Sequence, residues 1–199
     1  MTAIWPWPSM LWKYEYEFDQ TAMIDLFTRV KSHWSVQSDV VRLEAGSALS
    51  TVRVGVHDAD QQPHRSLEVV DFNSWLEPII NNIWSDCNFS EMGSEVSKSW
   101  FNLHSRTGHT LEHAHNRTDL VVSAYICCDD DTGNIEFRDP LEYHKIGSAW
   151  HESQLWKEVK VKTNDVLIFP GWLNHRTQIN ETDTDRIVMT YNIDGNPFI

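Results

Sequence analysis

Cysteine is scarce in this chain of 199 residues: Cys87, Cys127 and Cys128 are odd in number, and none stands in a CxxC pair. A disulfide framework is therefore not expected, the adjacent pair points to opposite faces of any strand, and a reducing cytoplasm fits the pattern. Long apolar runs are lacking too. No stretch reaches the ~18 residues a membrane span needs, and the opening Met1-Thr-Ala-Ile-Trp-Pro-Trp-Pro has neither a basic nor an apolar leader region. Positive charge is in short supply: 16 Lys and Arg face 29 Asp and Glu, a net charge of −13. That field repels phosphate backbones and anionic membranes, so neither nucleic acid nor membrane is expected as a partner.

What is present suffices for one core. Hydrophobic residues make up 41% of the chain, and no repeat, low-complexity segment or linker divides it, so residues 1–199 read as a single domain. Its first part, 1–94, carries an edge strand and two helices. Prolines 6 and 8 lead into the alternation Tyr14, Tyr16, Phe18, and Asp19 is placed to cap a helix from Thr21 to about Trp34. Met23, Leu26, Phe27 and Val30 form its apolar stripe. A second helix is expected over Asn73–Asp86, capped by Asn73 or Ser74, with Pro78 in an early turn and Trp75, Leu76, Ile79, Ile80, Ile83 and Trp84 recurring at helical spacing. Residues 35–66 give only strand fragments and loops, with a turn near 58–64.

From residue 95 short apolar segments alternate with turns: 96–104, 109–115, 120–128, 134–137, 155–161, 166–169 and 187–193. The stretches 129–133 and 163–165 read as hairpin loops. So many short strands imply a mainly β fold, a sandwich or closed barrel of jelly-roll type with the N-terminal helices at its flank. Most of the ten tryptophans read as core residues.

The chemistry concentrates in Gly108-His-Thr-Leu-Glu-His113-Ala-His115 and Phe169-Pro-Gly-Trp-Leu-Asn-His175. Residues i and i+2 of a strand share a face, so His113 and His115 can present two imidazoles side by side, and antiparallel pairing can bring His175 to the same point. The bland alternative is a surface His-x-His pair. Three histidines without cysteine suit a catalytic or reversibly bound metal rather than a closed structural zinc. Alternation puts Arg186, Val188, Thr190 and Asn192 on one face of the last strand; an inward arginine needs a partner, either an internal acid or the carboxylate of a ligand.

Taken together, Trp100-Phe-Asn102, Gly108 with His113-Ala-His115, Ser123-Ala-Tyr125, Gly133-Asn-Ile-Glu-Phe-Arg-Asp-Pro140, Leu167 to His175, Arg186 and Asn192-Ile193 resemble the iron(II)- and 2-oxoglutarate-dependent oxygenases. The likeness is to small phage and bacterial members of largely unassigned substrate, and Ile4-Trp-Pro and the two helices resemble that family's opening. The resemblance implies a double-stranded β-helix (jelly roll, cupin-like) that uses Fe(II) and 2-oxoglutarate to hydroxylate a small molecule or a protein side chain, releasing succinate and CO2. His113 and His175 match the family's iron-binding histidines, and Arg186 the residue that grips the far carboxylate of 2-oxoglutarate. Asn102 and Tyr125 are further candidates for polar contacts to the cosubstrate.

Two departures stand out. Where the superfamily places a carboxylate this chain has His115, so the third ligand is His115 itself or a carboxylate such as Asp139 or Asp119; Asp139 before Pro140 is more economically a turn residue. Where Arg-x-Ser is common, Val188 stands. Asn174 and Trp172 are candidates to fix the distal histidine ring, and Leu141–Gln154, with Tyr143, His144, Trp150 and His151, to shape the entrance. The rival readings are a three-histidine iron dioxygenase without 2-oxoglutarate and a non-catalytic jelly-roll module that binds a metal or ligand. Substrate and oligomeric state are not specified.

Overall fold

The structure is a computed structural model, and it describes residues 11–32, 43–52, 62–89, 93–147 and 155–196. The opening Ile4-Trp-Pro segment, Trp34, most of the turn at 58–64, Trp150 and His151 lie outside them. Eleven strands and three α-helices follow in chain order: β1 (Trp12–Glu15), α1 (Gln20–Ser32), β2 (Glu44–Ala45), β3 (Ala48–Ser50), α2 (Val70–Asp86), β4 (Gly93–His104), β5 (His109–Thr110), β6 (Leu120–Cys127), β7 (Ile135–Arg138), α3 (Glu142–Lys145), β8 (Trp156–Val159), β9 (Asp165–Pro170), β10 (His175–Thr177) and β11 (Arg186–Asn196). β1 is indeed an edge strand, pairing antiparallel with β9.

A six-stranded antiparallel sheet runs β1-β9-β6-β11-β4-β3; a three-stranded sheet, β10-β7-β8, faces it, and β2 with β5 forms a short ribbon. The fold is mainly β and of the jelly-roll type. Alternation divides the large sheet into two faces. Phe101, Leu103, Val122, Ala124, Ile126, Ile168, Met189 and Tyr191 meet α1 and α2, whereas Val121, Tyr125, Leu167, Phe169 and Val188 meet Ile135, Phe137 and Leu173 across the gap between the sheets. Cys127 and Cys128 accordingly pack on opposite faces, and all three cysteines are free.

The helix α1 forms as its pattern dictates: Met23, Leu26, Phe27 and Val30 are buried, and Asp19 Oδ1 accepts the Ala22 N–H at 3.0 Å. The second helix departs from expectation. It begins at Val70, out of 3₁₀ turns at Pro63–Arg65 and Leu67–Val69, so Pro78 is interior rather than early. Asn73 caps nothing; its side chain donates to His64 O and accepts from the Tyr191 hydroxyl, tying the helix to β11.

The loops at 129–133 and 163–165 are not hairpins. β6 and β9 belong to the large sheet and β7 and β8 to the small one, so both loops are corners where the chain changes sheets. No described helix is long and apolar enough to cross a membrane. Of the described tryptophans, Trp84 and Trp100 are buried, whereas Trp172 is 58% exposed.

Candidate metal centre

Of the expected 109–115 strand, only the first two residues form a strand, β5, and His113 forms an isolated antiparallel bridge. His113 and His115 are nevertheless fixed by backbone. His113 exchanges two hydrogen bonds with His175, N–H to O at 3.0 and 2.9 Å, and the His115 N–H donates to Gly171 O at 2.8 Å. Gly171 makes that approach possible, since a Cβ there would lie 2.1 Å from Thr118 O.

The three imidazoles converge, with ring centroids 4.3–5.2 Å apart and one ligating nitrogen from each within 4.8 Å of the others. Their orientation is set from behind. His113 Nδ1 lies 2.8 Å from Leu111 O, His175 Nδ1 2.9 Å from Leu173 O, and His115 Nδ1 2.6 Å from Asn192 Oδ1. A carbonyl oxygen only accepts, so Nδ1 carries the proton and Nε2 presents a lone pair. Burial lowers the pKa of all three, with His115 down to about 4 and His175 well below its usual value, so the rings are neutral near pH 7. The Nε2 atoms of His113 and His115 are 3.2 Å apart. Two lone pairs at that distance repel unless a cation lies between them, and three neutral imidazole donors suit iron, zinc, copper or nickel.

Among the described residues this cluster is all histidine. Asp139 receives the Leu141 N–H and pairs with Lys145, while Asp119 receives the Gly195 N–H. Asp139 is thus engaged in its own turn, and Asp119 with the backbone of β11. Asn174 and Trp172 do not fix the distal ring either: both side chains are exposed, and the backbone of Leu173 does that work. His115 is held by Asn192, a partner that sequence reasoning left unassigned although alternation had put it on the inward face.

A cavity of about 300 Å³ opens beneath the histidines, lined on β4 by Lys98, Trp100, Asn102 and His104 and elsewhere by Tyr125 and Thr190. Trp100 stacks on His115, centroids 5.6 Å apart at 29°. Asn102 Oδ1 is buried without a hydrogen-bond partner, and the Tyr125 hydroxyl, on a side chain only 2% exposed, makes none among the described residues. Tyr143 and His144 are exposed and do not line this cavity.

Arg186 sits behind the inner end of the cavity rather than in its lining, 1% exposed. Its Nε donates to His104 Nδ1 at 3.2 Å, Nη1 to Thr132 O and Gly133 O at 2.7 and 2.6 Å, and Nη2 to Gln178 O at 3.2 Å. Four hydrogen bonds leave one of the guanidinium's five N–H groups, on Nη2, unused. Every partner is neutral, and no described carboxylate pairs with the buried charge. The internal acid expected as an alternative partner is absent among the described residues, and desolvation pulls the Arg186 pKa down. Gly133, at φ +88°, permits the contact, since a Cβ there would fall 2.9 Å from Nη1.

Comparison with known proteins agrees with this architecture. Residues 98–192, just under half of the chain but the part holding the three histidines and Arg186, match the family model described as "Putative 2OG-Fe(II) oxygenase". No curated protein matches the sequence. Among solved structures, the non-heme alpha ketoglutarate dependent carbocyclase of nogalamycin biosynthesis superposes with a TM-score of 0.63 at 12% identity, covering 92% of this chain and 78% of that one. A Pseudomonas putida prolyl-4-hydroxylase gives 0.57 at 8% identity over 92% and 91%. The collagen prolyl hydroxylase of Paramecium Bursaria Chlorella virus-1, solved as a 2OG complex, gives 0.55 at 11% over 92% and 94%. At such identities the likeness is one of fold alone. Residues 98–192 are thus similar in sequence to the 2OG-Fe(II) oxygenase family, and the fold is one that these solved oxygenases share.

Proposed function

We propose that this protein is a non-haem iron(II) and 2-oxoglutarate-dependent oxygenase that hydroxylates a small molecule or a protein side chain. One observation carries the reading: three neutral imidazoles share an open metal-binding point above a cavity whose inner end lies against a buried guanidinium without a counter-charge among the described residues. The residues fit both absent groups. His113, His115 and His175 would hold the iron on one face, leaving its other positions open. The Tyr125 hydroxyl and the spare N–H of Arg186 are unused donors at the far end, where a carboxylate would accept from them and compensate the buried charge.

Bound together, iron(II) and 2-oxoglutarate supply the oxidising chemistry: one atom of dioxygen enters succinate as CO2 leaves, and the other enters the substrate C–H bond. The protein's part is placement. Leu111 O, Leu173 O and Asn192 hold the imidazole rings in one tautomer, so the donor atoms need no reorganisation when metal binds. Trp100, Ile135 and Val188 give the cavity apolar walls that keep water from the reacting centre.

The test is aerobic incubation with Fe(II) and 2-oxoglutarate, following succinate by NMR. Slow succinate release is expected without added substrate, abolished by His113→Ala and reduced at least tenfold by Arg186→Met. Iron retention with no 2-oxoglutarate consumed would overturn the proposal. That result is what the second reading, a 2-oxoglutarate-independent dioxygenase, requires; the all-histidine ligand set is the observation in its favour.

A further inference from the structure

We propose that Lys98 recognises the substrate, and that the substrate carries an anionic group, a carboxylate or a phosphate, which pairs with the Lys98 ammonium. The inference rests on the oxygenase reading and adds a substrate class to it.

Lys98, Trp100, Asn102 and His104 alternate along one face of β4 and all line the cavity, so they lay out its length in order. His104 lies opposite Arg186 in the strand register, and Lys98 lies opposite Asn192. Asn192 in turn holds His115, and Trp100, two residues along, stacks on the same ring. Lys98 is thus the outermost of the four, one step past Trp100 and its contact with His115, and Arg186 is at the other end. Six residues of strand separate the two levels, roughly 20 Å at about 3.3 Å per residue. A five-carbon diacid reaches about 6 Å, four carbon–carbon bonds of roughly 1.5 Å. A molecule of that reach with a carboxylate held at Arg186 cannot also occupy Lys98.

Among the described residues the ammonium has no other partner. It forms no ion pair or side-chain hydrogen bond among the described residues, in a chain where acids outnumber bases 29 to 16. Lys98 is half-buried, and burial alone lowers its pKa, with no carboxylate to oppose the shift. A half-desolvated cation facing an empty volume favours an anion, whose own recognition would gain from the low-dielectric walls.

Three probes test this on protein loaded with Mn(II) and 2-oxoglutarate: N-acetylglycine, its neutral counterpart N-acetylglycinamide, and inorganic phosphate, each read by paramagnetic broadening of its NMR signals. The expected result is binding of N-acetylglycine or phosphate but not of the amide, weakened at least tenfold in Lys98→Met and restored in Lys98→Arg. The tighter of the two anions then names the group. The 2-oxoglutarate signals in the same samples should change affinity by less than twofold. Equal anion binding to Lys98→Met, no anion binding to the wild type, or a tenfold loss of 2-oxoglutarate affinity in Lys98→Met would each overturn the assignment. Should the wild type bind no 2-oxoglutarate while the anions still require Lys98, the cosubstrate reading falls and the Lys98 site stands.

Discussion

A single methyl group decides whether His115 can reach the metal. Gly171 O receives the His115 N–H, and the same glycine passes so close to Thr118 that a Cβ would meet backbone at 2.1 Å. Backbone cannot yield as a flexible side chain does. Gly171→Ala should therefore displace the segment 115–118, weakening Mn(II) binding at least tenfold in a titration followed by paramagnetic resonance; unchanged affinity would show that the approach is slack. Asn192→Ala removes the acceptor that fixes the His115 ring while leaving all three donors in place. Losses of such outer partners typically cost about 10- to 100-fold in metal affinity, and that range is expected here, with a smaller effect in Asn192→Asp, which keeps the acceptor. The histidines themselves were legible in the sequence because donor type and i, i+2 spacing are written in it. The backbone supports were not: Leu111 O and Leu173 O behind the histidines, and Thr132 O and Gly133 O behind Arg186, are groups every residue carries, so nothing in the side-chain pattern marks them.

At the scale of elements, periodicity found α1 and its buried stripe but misplaced the start of α2. Asn73 has the residue type of a cap, yet the 3₁₀ turns before it deliver the chain already wound, and tertiary bonds to His64 and Tyr191 claim its side chain instead. Pro78 consequently lies in the helix interior, where it withholds the N–H that Ser74 O would receive. Pro78→Ala, at an exposed position, should raise stability by about 1–3 kcal/mol, read as a higher urea midpoint.

The turn before α2 also carries a pH-dependent contribution. His64 Nδ1 lies 2.7 Å from Ser99 Oγ, and burial, with Arg65 adding a smaller push, lowers its pKa to about 4. The folded protein therefore binds a proton less readily than the unfolded chain, whose histidines titrate near 6.5. Stability from this residue is complete above pH 6.5 and is lost as pH falls from there toward 4. Buried His104 acts with the same sign. Urea midpoints should decline over that window, and His64→Gln should flatten the decline; an identical slope in the variant would assign it elsewhere.

Across the whole molecule, the jelly-roll class was legible from many short strands, but their connectivity was not. A run such as Asp-Asp-Asp-Thr-Gly reads as a turn whether the chain folds back on itself or crosses to the opposite sheet. Here it crosses, and by crossing it brings Thr132 O and Gly133 O onto Arg186. The same double layer leaves a cavity between the sheets, with the histidines where β10 approaches residues 113–115 and the guanidinium at the opposite end. Apolar packing on the two faces of the large sheet holds these ends at a fixed separation. Function is thus a property of the assembled sandwich rather than of any one motif.

The most direct test is anaerobic titration of metal-free protein with Fe(II) and then 2-oxoglutarate, watching for the weak visible charge-transfer absorption of a chelate between the two. The account predicts a band that is absent in His113→Ala, retained in Asp139→Ala and Asp119→Ala, and shifted to at least tenfold higher 2-oxoglutarate concentration in Arg186→Met. Iron bound by the wild type with no band at any 2-oxoglutarate concentration would contradict it.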